Sequence, residues 1–472
     1  MRVRNPRTGS YDYEFTPTPL GDVAATAKRL RANQKAWVAR GLEYRIEVLE
    51  RWAVAVTAER DAIADALTID TGRALISGRE AEGLPRNIRR WLGSAADLMK
   101  TELHQSRILP TVTYQNQLVP YALVGAISPW NFPVTLSFID AIPALVAGSA
   151  VILKPSEITP RFVEPIQRSL AAVPELADVF AIIMGDGAIG AELVNHVDAV
   201  CFTGSVPTGR KVGEAAARRF IPAFLELGGK DPVIVLDTAD IDKATDAVLK
   251  GSLLNNGHAC LSIERVYVQA PIYDAFVALL TEKAARVRTN AANIHEGEIG
   301  PFIHGPQADL VDAQIKDAVQ KGARVLTGGV IEDHGGKWCN ATVIVDVTHD
   351  MAIMRDETFG PIMPVMKFDS IEEAIALAND TEFGLSASVI AGTIDEARAV
   401  GAHIDAGGIS LNDCGMTYMT FEPEKNSFKF SGMGGSRMGL AGLSRFFRKK
   451  AFIMQNGTPQ SIFDFSEEHA GK

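Results

Sequence analysis

Little in this sequence would serve a disulfide scaffold or a zinc site. Its 472 residues hold only four cysteines, Cys201, Cys260, Cys339 and Cys414, scattered singly with no Cys-x-x-Cys pair. Such usage fits a reducing compartment and excludes a cystine framework. Positive charge is in deficit, with 47 Lys and Arg against 57 Asp and Glu and a net charge of −10. That balance argues against a general nucleic-acid binder. Met1–Thr16 carries three arginines and no apolar run, so no secretory signal is legible there. One stretch is long enough to cross a membrane: Pro120–Leu153, with the single charge Asp140. Pro129, Pro133, Pro143, Gly125 and Gly148 interrupt it, and two buried strands flanking a buried helix account for it better. We therefore expect a soluble, cytoplasmic protein with no membrane, nucleic-acid or metal partner.

What is present is a large apolar fraction, 47%, beside 22% charged residues. That is enough burial to offset chain ordering in two to four domains. Gly21 to about Leu103 reads as helical, with Leu49, Trp52, Ala53 and Val56 at helical spacing. Ile108–Leu118 alternates as a strand with one wet face. A βα series then begins at Ala122. The predicted strands are Ala122–Ser128, Ala150–Lys154, Val179–Met184 and Ala199–Phe202, with helices over Pro133–Val146, Phe162–Val173, Ala188–Asn195 and Thr208–Arg219. Spacing of this kind implies right-handed crossovers and a parallel sheet. A second α/β series starts at Pro232, and Leu225–Asp231 (LELGGKD) is the candidate junction. The basic and aromatic tail after Leu443 ends in an apolar segment, Phe452–Met454, expected to pair with something such as a second subunit.

Two constellations carry chemistry. Gly185-Asp-Gly187-Ala-Ile-Gly190 has dinucleotide-fingerprint spacing, but the next strand ends in Thr203-Gly204 where the fingerprint needs a carboxylate. We read it as a turn. Lys154-Pro-Ser156-Glu157 and Phe202-Thr-Gly204-Ser205 instead close two strands of one sheet. Lys154 and Glu157 suit ribose oxygens, and the helix start after Gly204-Ser205 suits a pyrophosphate. The second constellation is Asn255-Asn-Gly-His258-Ala-Cys260, a small polar loop between apolar segments. Its neighbours offer Cys260 backbone donors rather than packing bulk. His258, two residues away, points to the other side and is given only a supporting role.

Ser128–Pro133 (SPWNFP), the KPSE, FTGS, LELGGK and NGHAC segments and Glu357–Pro361 (ETFGP) occur in this order. Together they resemble the NAD(P)-dependent aldehyde dehydrogenase superfamily, in which Glu226 stands 34 residues before Cys260 as here. The resemblance implies an α/β fold: two Rossmann-like domains with parallel sheets and a small β oligomerisation element. Residues 1–100 and 121–228 would bind NAD(P), 229–430 would be catalytic, and 101–120 with 443–472 would bridge a homodimer or homotetramer. It implies Cys260 as nucleophile, Glu226 as general base and Asn131 as oxyanion donor. Cofactor contacts would come from Ile127, Trp130, Lys154, Ser156, Glu157, Gly204, Ser205, Leu227, Glu357 and Phe359. The carboxylate of Glu157 would favour NAD over NADP, partly offset by Lys154.

The sequence departs from the family pattern at His258, where glutamine is usual, and at Glu424–Ser427, where a Pro-Phe-Gly-Gly stretch is common. These changes bear on substrate choice. By analogy Phe132, Thr135, Leu136, Ile139, Leu261, Met416, Tyr418, Met419 and Phe421 would line the substrate tunnel and favour an uncharged aliphatic or aromatic aldehyde. Arg437 is the one late candidate for an acidic substrate. The rivals are a CoA-acylating enzyme, against which Glu226 argues, and a non-catalytic family member, against which both Cys260 and Glu226 argue.

Overall fold

The computed structural model describes residues 1–469, so the last three residues of the expected bridging segment lie outside it. Two α/β sheets dominate. In the first, the strands run in the order Gly432–Met433, Ala223–Glu226, Ala199–Thr203, Leu123–Ile127, Ala150–Lys154, Phe180–Ile182. All neighbours pair in parallel except the short Gly432–Met433 edge, which is antiparallel to Ala223–Glu226. The chain enters at Leu123–Ile127, builds outward to Phe180–Ile182, then crosses back to Ala199–Thr203. The order therefore reverses between Leu123–Ile127 and Ala199–Thr203, and the crevice beyond the carboxyl ends of those two strands is where such sheets bind ligands.

The second sheet has seven strands: Arg324–Thr327, Thr342–Val345, Ile362–Phe368, Ile263–Gln269, Asp231–Val235, Ser386–Ile390, Gly408–Leu411. It too is parallel apart from its first, antiparallel edge pair. Only Leu227–Lys230 separates the last parallel strand of the first sheet from the first strand of the second.

The low-charge stretch is what its composition demands. Leu123–Ile127 and Ala150–Lys154 are central strands, and the helix between them, Pro133–Ala147, is buried over almost its whole length. Asp140, the lone charge, is ion-paired inside the fold with Arg445 from the basic tail, so neither charge is buried uncompensated. Four N-terminal helices (Leu20–Ala39, Gly41–Ala58, Arg60–Thr71, Ala74–Leu98) lie over this core. Trp52, fully buried, packs on Phe138 and Phe180 and donates Nε1–H to Ser169 Oγ at 3.1 Å. Truncation of such a residue costs about 3–5 kcal/mol. No helix among the described residues is long and apolar enough to cross a membrane.

One expectation is corrected, and another finds its partner. The strand expected from Ile108 starts at Val112 and runs to Pro120. Ser106 Oγ accepts from the N–H groups of Ile108 and Leu109, and Val112 N–H bonds back to Leu109 O, so the chain turns there first. The apolar tail pairs along one edge with its own chain. Phe447–Gln455 pairs antiparallel with Val112–Pro120 over nine residues of the same chain, in a three-stranded sheet with Leu103–Gln105. N- and C-proximal segments remote in sequence thus satisfy each other's backbone groups. The hairpins Arg2–Arg4/Tyr11–Glu14 and Ile331–Asp333/Lys337–Cys339 were not anticipated.

Candidate active site

The crevice predicted by the strand order is occupied by a cavity. About 260 Å³ in volume, it is lined by Pro129, Trp130 and Asn131, which follow one strand, and by Thr203, which ends the other, with Gly204 and Ser205 after it. Leu136, Leu227, Gly228, Cys260, Gln307, Leu310, Glu357 and Phe359 complete it. Those of Leu227, Gly228, Cys260, Glu357 and Phe359 come from loops that lead into strands of the seven-stranded sheet. The site is therefore built where the first sheet ends and the second begins.

The loop bearing Cys260 is shaped by its small polar residues. Asn255 and Asn256 both have φ near +60°, and Gly257 follows at +72°. Asparagine tolerates this region, but at Gly257 a Cβ would meet Gly360 O at 2.2 Å, so only glycine fits. Asn256 is fixed by Gly300 N–H and Pro301 O, and Asn255 Nδ2 donates to both Asn131 O and His258 O. Asn131 Nδ2 in turn donates to His258 O at 3.0 Å. One N–H of the Asn131 amide is thereby used to hold the loop, and its second remains for another acceptor.

His258 is fully buried among Trp130, Phe302 and Phe359, and neither ring nitrogen has a hydrogen-bond partner. Burial, then the charges of Arg73 and His304, hold its pKa well below the ordinary value. It is a neutral packing residue and no base for Cys260, as its place two residues away implied.

A second cavity, about 100 Å³, adjoins the first; Leu136, Thr203 and Cys260 line both. Its walls include Phe132, Thr135, Ile139, Leu261, Tyr418 and Phe421, as expected, and also Glu226, Lys425 and Arg437. Met416 and Met419 do not line it, and Met419 is exposed, because the short helix Met416–Met419 turns Tyr418 inward instead. Burial pushes the Cys260 thiol up to about 12, against the pull of Arg437 and Lys425. Glu226 accepts from Ser427 Oγ at 2.9 Å and lies 3.5 Å from Arg437 Nε. Beyond Thr135, Ile139, Tyr418 and Phe421, which are shared walls, a chamber of about 560 Å³ opens, bordered by Arg79, Arg86 and Arg90 on one face of the helix Ala74–Leu98.

The larger of the two adjoining cavities suits a nicotinamide dinucleotide. The helix Val206–Arg218 starts at its edge with no side chain capping its first turn, which leaves N–H groups for a phosphate. Gly228 keeps the backbone open where a Cβ would press on the Glu357 carboxylate at 2.7 Å. Glu357 accepts from Gly229 N–H, and burial followed by the neighbouring Glu264 raises its pKa to about 8. Glu264, buried and unmentioned by any motif, accepts from Lys230 Nζ and from the N–H groups of Thr358 and Phe359. It thereby holds Phe359 at φ +52° against Trp130. Trp130, Gly204, Ser205, Leu227, Glu357 and Phe359 are thus brought together with Cys260. Ile127, Lys154, Ser156 and Glu157 do not line this cavity. They stand along the adjacent strand ends, where Lys154 Nζ donates to Glu157 at 3.0 Å and Ser156 Oγ accepts from Ile158 N–H. Gln307, Leu310 and Glu264 carried no sequence signal; Lys425 and Ser427 showed only as a departure from the family pattern.

Comparison with known proteins decides the family. The family model for the aldehyde dehydrogenase family matches residues 1–452. The chain belongs to the aldehyde dehydrogenase family. It is an oxidoreductase that acts on aldehydes with NAD(P). A Mycolicibacterium smegmatis protein provisionally named an NADP(+)-dependent succinate-semialdehyde dehydrogenase is 35% identical over 440 residues, 92% of this chain and 85% of its own. A solved Anabaena variabilis protein, provisionally described as an aldehyde dehydrogenase, is 50% identical with a TM-score of 0.96 over 98% of both chains. Betaine aldehyde dehydrogenase from Staphylococcus aureus, solved with NAD+, is 28% identical with a TM-score of 0.91 over 99% of this chain and 96% of that one.

Proposed function

We propose that this aldehyde dehydrogenase oxidises its substrate to a carboxylic acid hydrolytically, with Cys260 as nucleophile, Glu226 as general base and Asn131 as oxyanion donor. The observation that carries this reading is that Cys260 lines both adjoining cavities, one suited to the dinucleotide and one containing Glu226. Burial pushes the Cys260 thiol up to about 12, so attack requires that its proton first leave to solvent, which leaves the Glu226 carboxylate unprotonated for the hydrolytic step. Attack on the carbonyl carbon places negative charge on the oxygen. The free Asn131 N–H and the Cys260 backbone N–H are the donors for it, the Asn131 contribution being about 2.7–4 kcal/mol by analogy with other oxyanion holes. NAD(P), when bound, supplies the hydride acceptor that turns the thiohemiacetal into a thioester. Water then adds to the acyl carbon as Glu226 takes its proton, and the C–S bond breaks to return the Cys260 thiolate.

For cofactor contacts we propose Ile127, Trp130, Lys154, Ser156, Glu157, Gly204, Ser205, Leu227, Glu357 and Phe359, with residues 1–100 and 121–228 as the cofactor domain and 229–430 as the catalytic one. The Glu157 carboxylate favours NAD, and its ion pair with Lys154 moderates that preference. The exposed Phe452 and Ile453 on an edge strand support assembly into a homodimer or homotetramer, in the cytoplasm as the cysteine usage suggests.

The largely apolar walls of the inner cavity support an aliphatic or aromatic aldehyde. Lys425, which lines the cavity with no carboxylate ion-paired to it among the described residues, favours a second reading, an aldehyde bearing a carboxylate, as in the name of the Mycolicibacterium relative. Butanal, benzaldehyde and succinate semialdehyde, each with NAD or NADP and with or without CoA, separate these readings by absorbance at 340 nm. Turnover without CoA is expected. Turnover only with CoA would overturn the hydrolytic assignment.

A further inference from the structure

The segment that departs from the family pattern comes back beside the base. Ser427, 201 residues away in sequence, donates Oγ–H to Glu226 Oε2 at 2.9 Å, while Arg437 Nε lies 3.5 Å from Oε1. Arg437 is itself anchored, since its Nη2 donates to Thr203 Oγ1 at 2.7 Å, and it is about nine-tenths buried. Thr203 and Glu226 are register partners in adjacent parallel strands. The backbone is tied as well: Leu227 N–H bonds Ser431 O, and Gly432 pairs with Glu226 in the antiparallel edge. Both carboxylate oxygens of Glu226 are thus held from the side of the Glu424–Arg437 segment, in a side chain that otherwise has three rotatable bonds.

We propose that Ser427 and Arg437 are positioning residues for the hydrolytic half of the reaction, aiming Glu226 at the acyl group on Cys260. The inference rests on the hydrolytic reading given above. The two residues differ in one respect. Ser427 reaches only the base, whereas Arg437 lines the cavity with Cys260 and its charge also acts on the thiol. Loss of Ser427 therefore slows deacylation alone, and loss of Arg437 slows acylation too. In the affected step, the oxygen of water bonds the acyl carbon, its proton passes to Glu226, and the C–S bond breaks with its electron pair on Cys260 sulfur.

The test is the hydrolysis of 4-nitrophenyl acetate, which acylates a reactive thiol without cofactor or aldehyde. The burst of nitrophenolate reads acylation, and the steady rate reads deacylation. In Ser427→Ala the burst rate is expected to stay as in the wild type while the steady rate falls about 10- to 100-fold, the range a misaimed catalytic group produces. Hydroxylamine, which attacks a thioester without a general base, should restore the steady rate and yield acetohydroxamate. Ser427→Thr, which keeps the hydroxyl, should retain most of the steady rate. Arg437→Gln should lower both phases. Equal losses of burst and steady rate in Ser427→Ala, no loss at all, or a steady rate that hydroxylamine leaves unchanged would each overturn the proposal. A wild-type burst followed by turnover only when CoA is added would instead overturn the hydrolytic reading itself.

Discussion

Replacing Glu264 with glutamine should weaken both the fold and cofactor binding, although Glu264 lines neither cavity next to Cys260. The carboxylate is 2% exposed and meets Lys230 Nζ at 2.9 Å, with the N–H groups of Thr358 and Phe359 each at 2.7 Å. The Lys230 ammonium is 1% exposed, and its only other hydrogen bond among the described residues goes to Thr358 Oγ1. Removing one partner of a buried pair typically costs about 3–5 kcal/mol, because the remaining charge stays desolvated. The two amides, sharing one amide oxygen in place of a carboxylate, stand to lose part of about 1–3 kcal/mol more. These losses belong to one network and do not add. The sign with pH follows from Lys230, whose folded pKa burial already holds below 10.5. Without Glu264 it falls further, so the unfolded chain binds the extra proton over a wider window below 10.5. The stability difference between wild type and variant should be largest near pH 7 and shrink as pH rises toward about 10. Urea unfolding at several pH values measures it. Adding Lys230→Met to Glu264→Gln should recover most of the loss, since no charge is then stranded. Because the same bonds hold Thr358 and Phe359, which follow Glu357 in the chain, KM for NAD should rise, while acylation of Cys260 by 4-nitrophenyl acetate stays close to wild type. An unchanged unfolding midpoint, or a double variant no more stable than the single one, would refute this account of Glu264.

Two further outcomes are expected. Asn131→Ala should lower kcat by about 10²–10³, the cost of one oxyanion donor, with KM for NAD little changed, as steady-state kinetics at saturating cofactor will show. Alkylation of Cys260 by iodoacetamide in the cofactor-free protein should accelerate about tenfold per pH unit from pH 7 to 9. The thiol sits near 12, so the thiolate fraction is still climbing throughout that range; a plateau below pH 8 would contradict it.

Local pattern was enough to read much of this molecule. Strand and helix periodicities located the central elements of the first sheet, with Ala150–Lys154 found at the predicted limits. Turn chemistry located the NNGHAC loop, because consecutive asparagines before glycine are residues that accept positive φ. What local pattern could not supply is pairing at a distance. The tail strand Phe447–Gln455 read as an unsatisfied edge because nothing near it in sequence reveals Val112–Pro120 as its partner. Its two exposed hydrophobics, Phe452 and Ile453, remain available for a contact the chain does not make with itself.

The same limit explains the site. Cys260, Glu226 and Asn131 each sit in a short segment whose composition is odd for its surroundings, so the segment announces itself. Glu264 does not: it lies inside the strand Ile263–Gln269, at a position that reads as ordinary strand, and its role exists only because Lys230 and the Thr358–Phe359 turn converge on it. Ser427 and Lys425 form an intermediate case. Their segment was visible as a departure, yet departure alone gave no direction, and the expected effect fell on substrate choice. In the structure Lys425 lines the inner cavity, whereas Ser427 faces Glu226. A single four-residue change thus bears on two different steps. Its effect on hydrolysis and its effect on substrate charge should separate when Ser427 and Lys425 are changed one at a time.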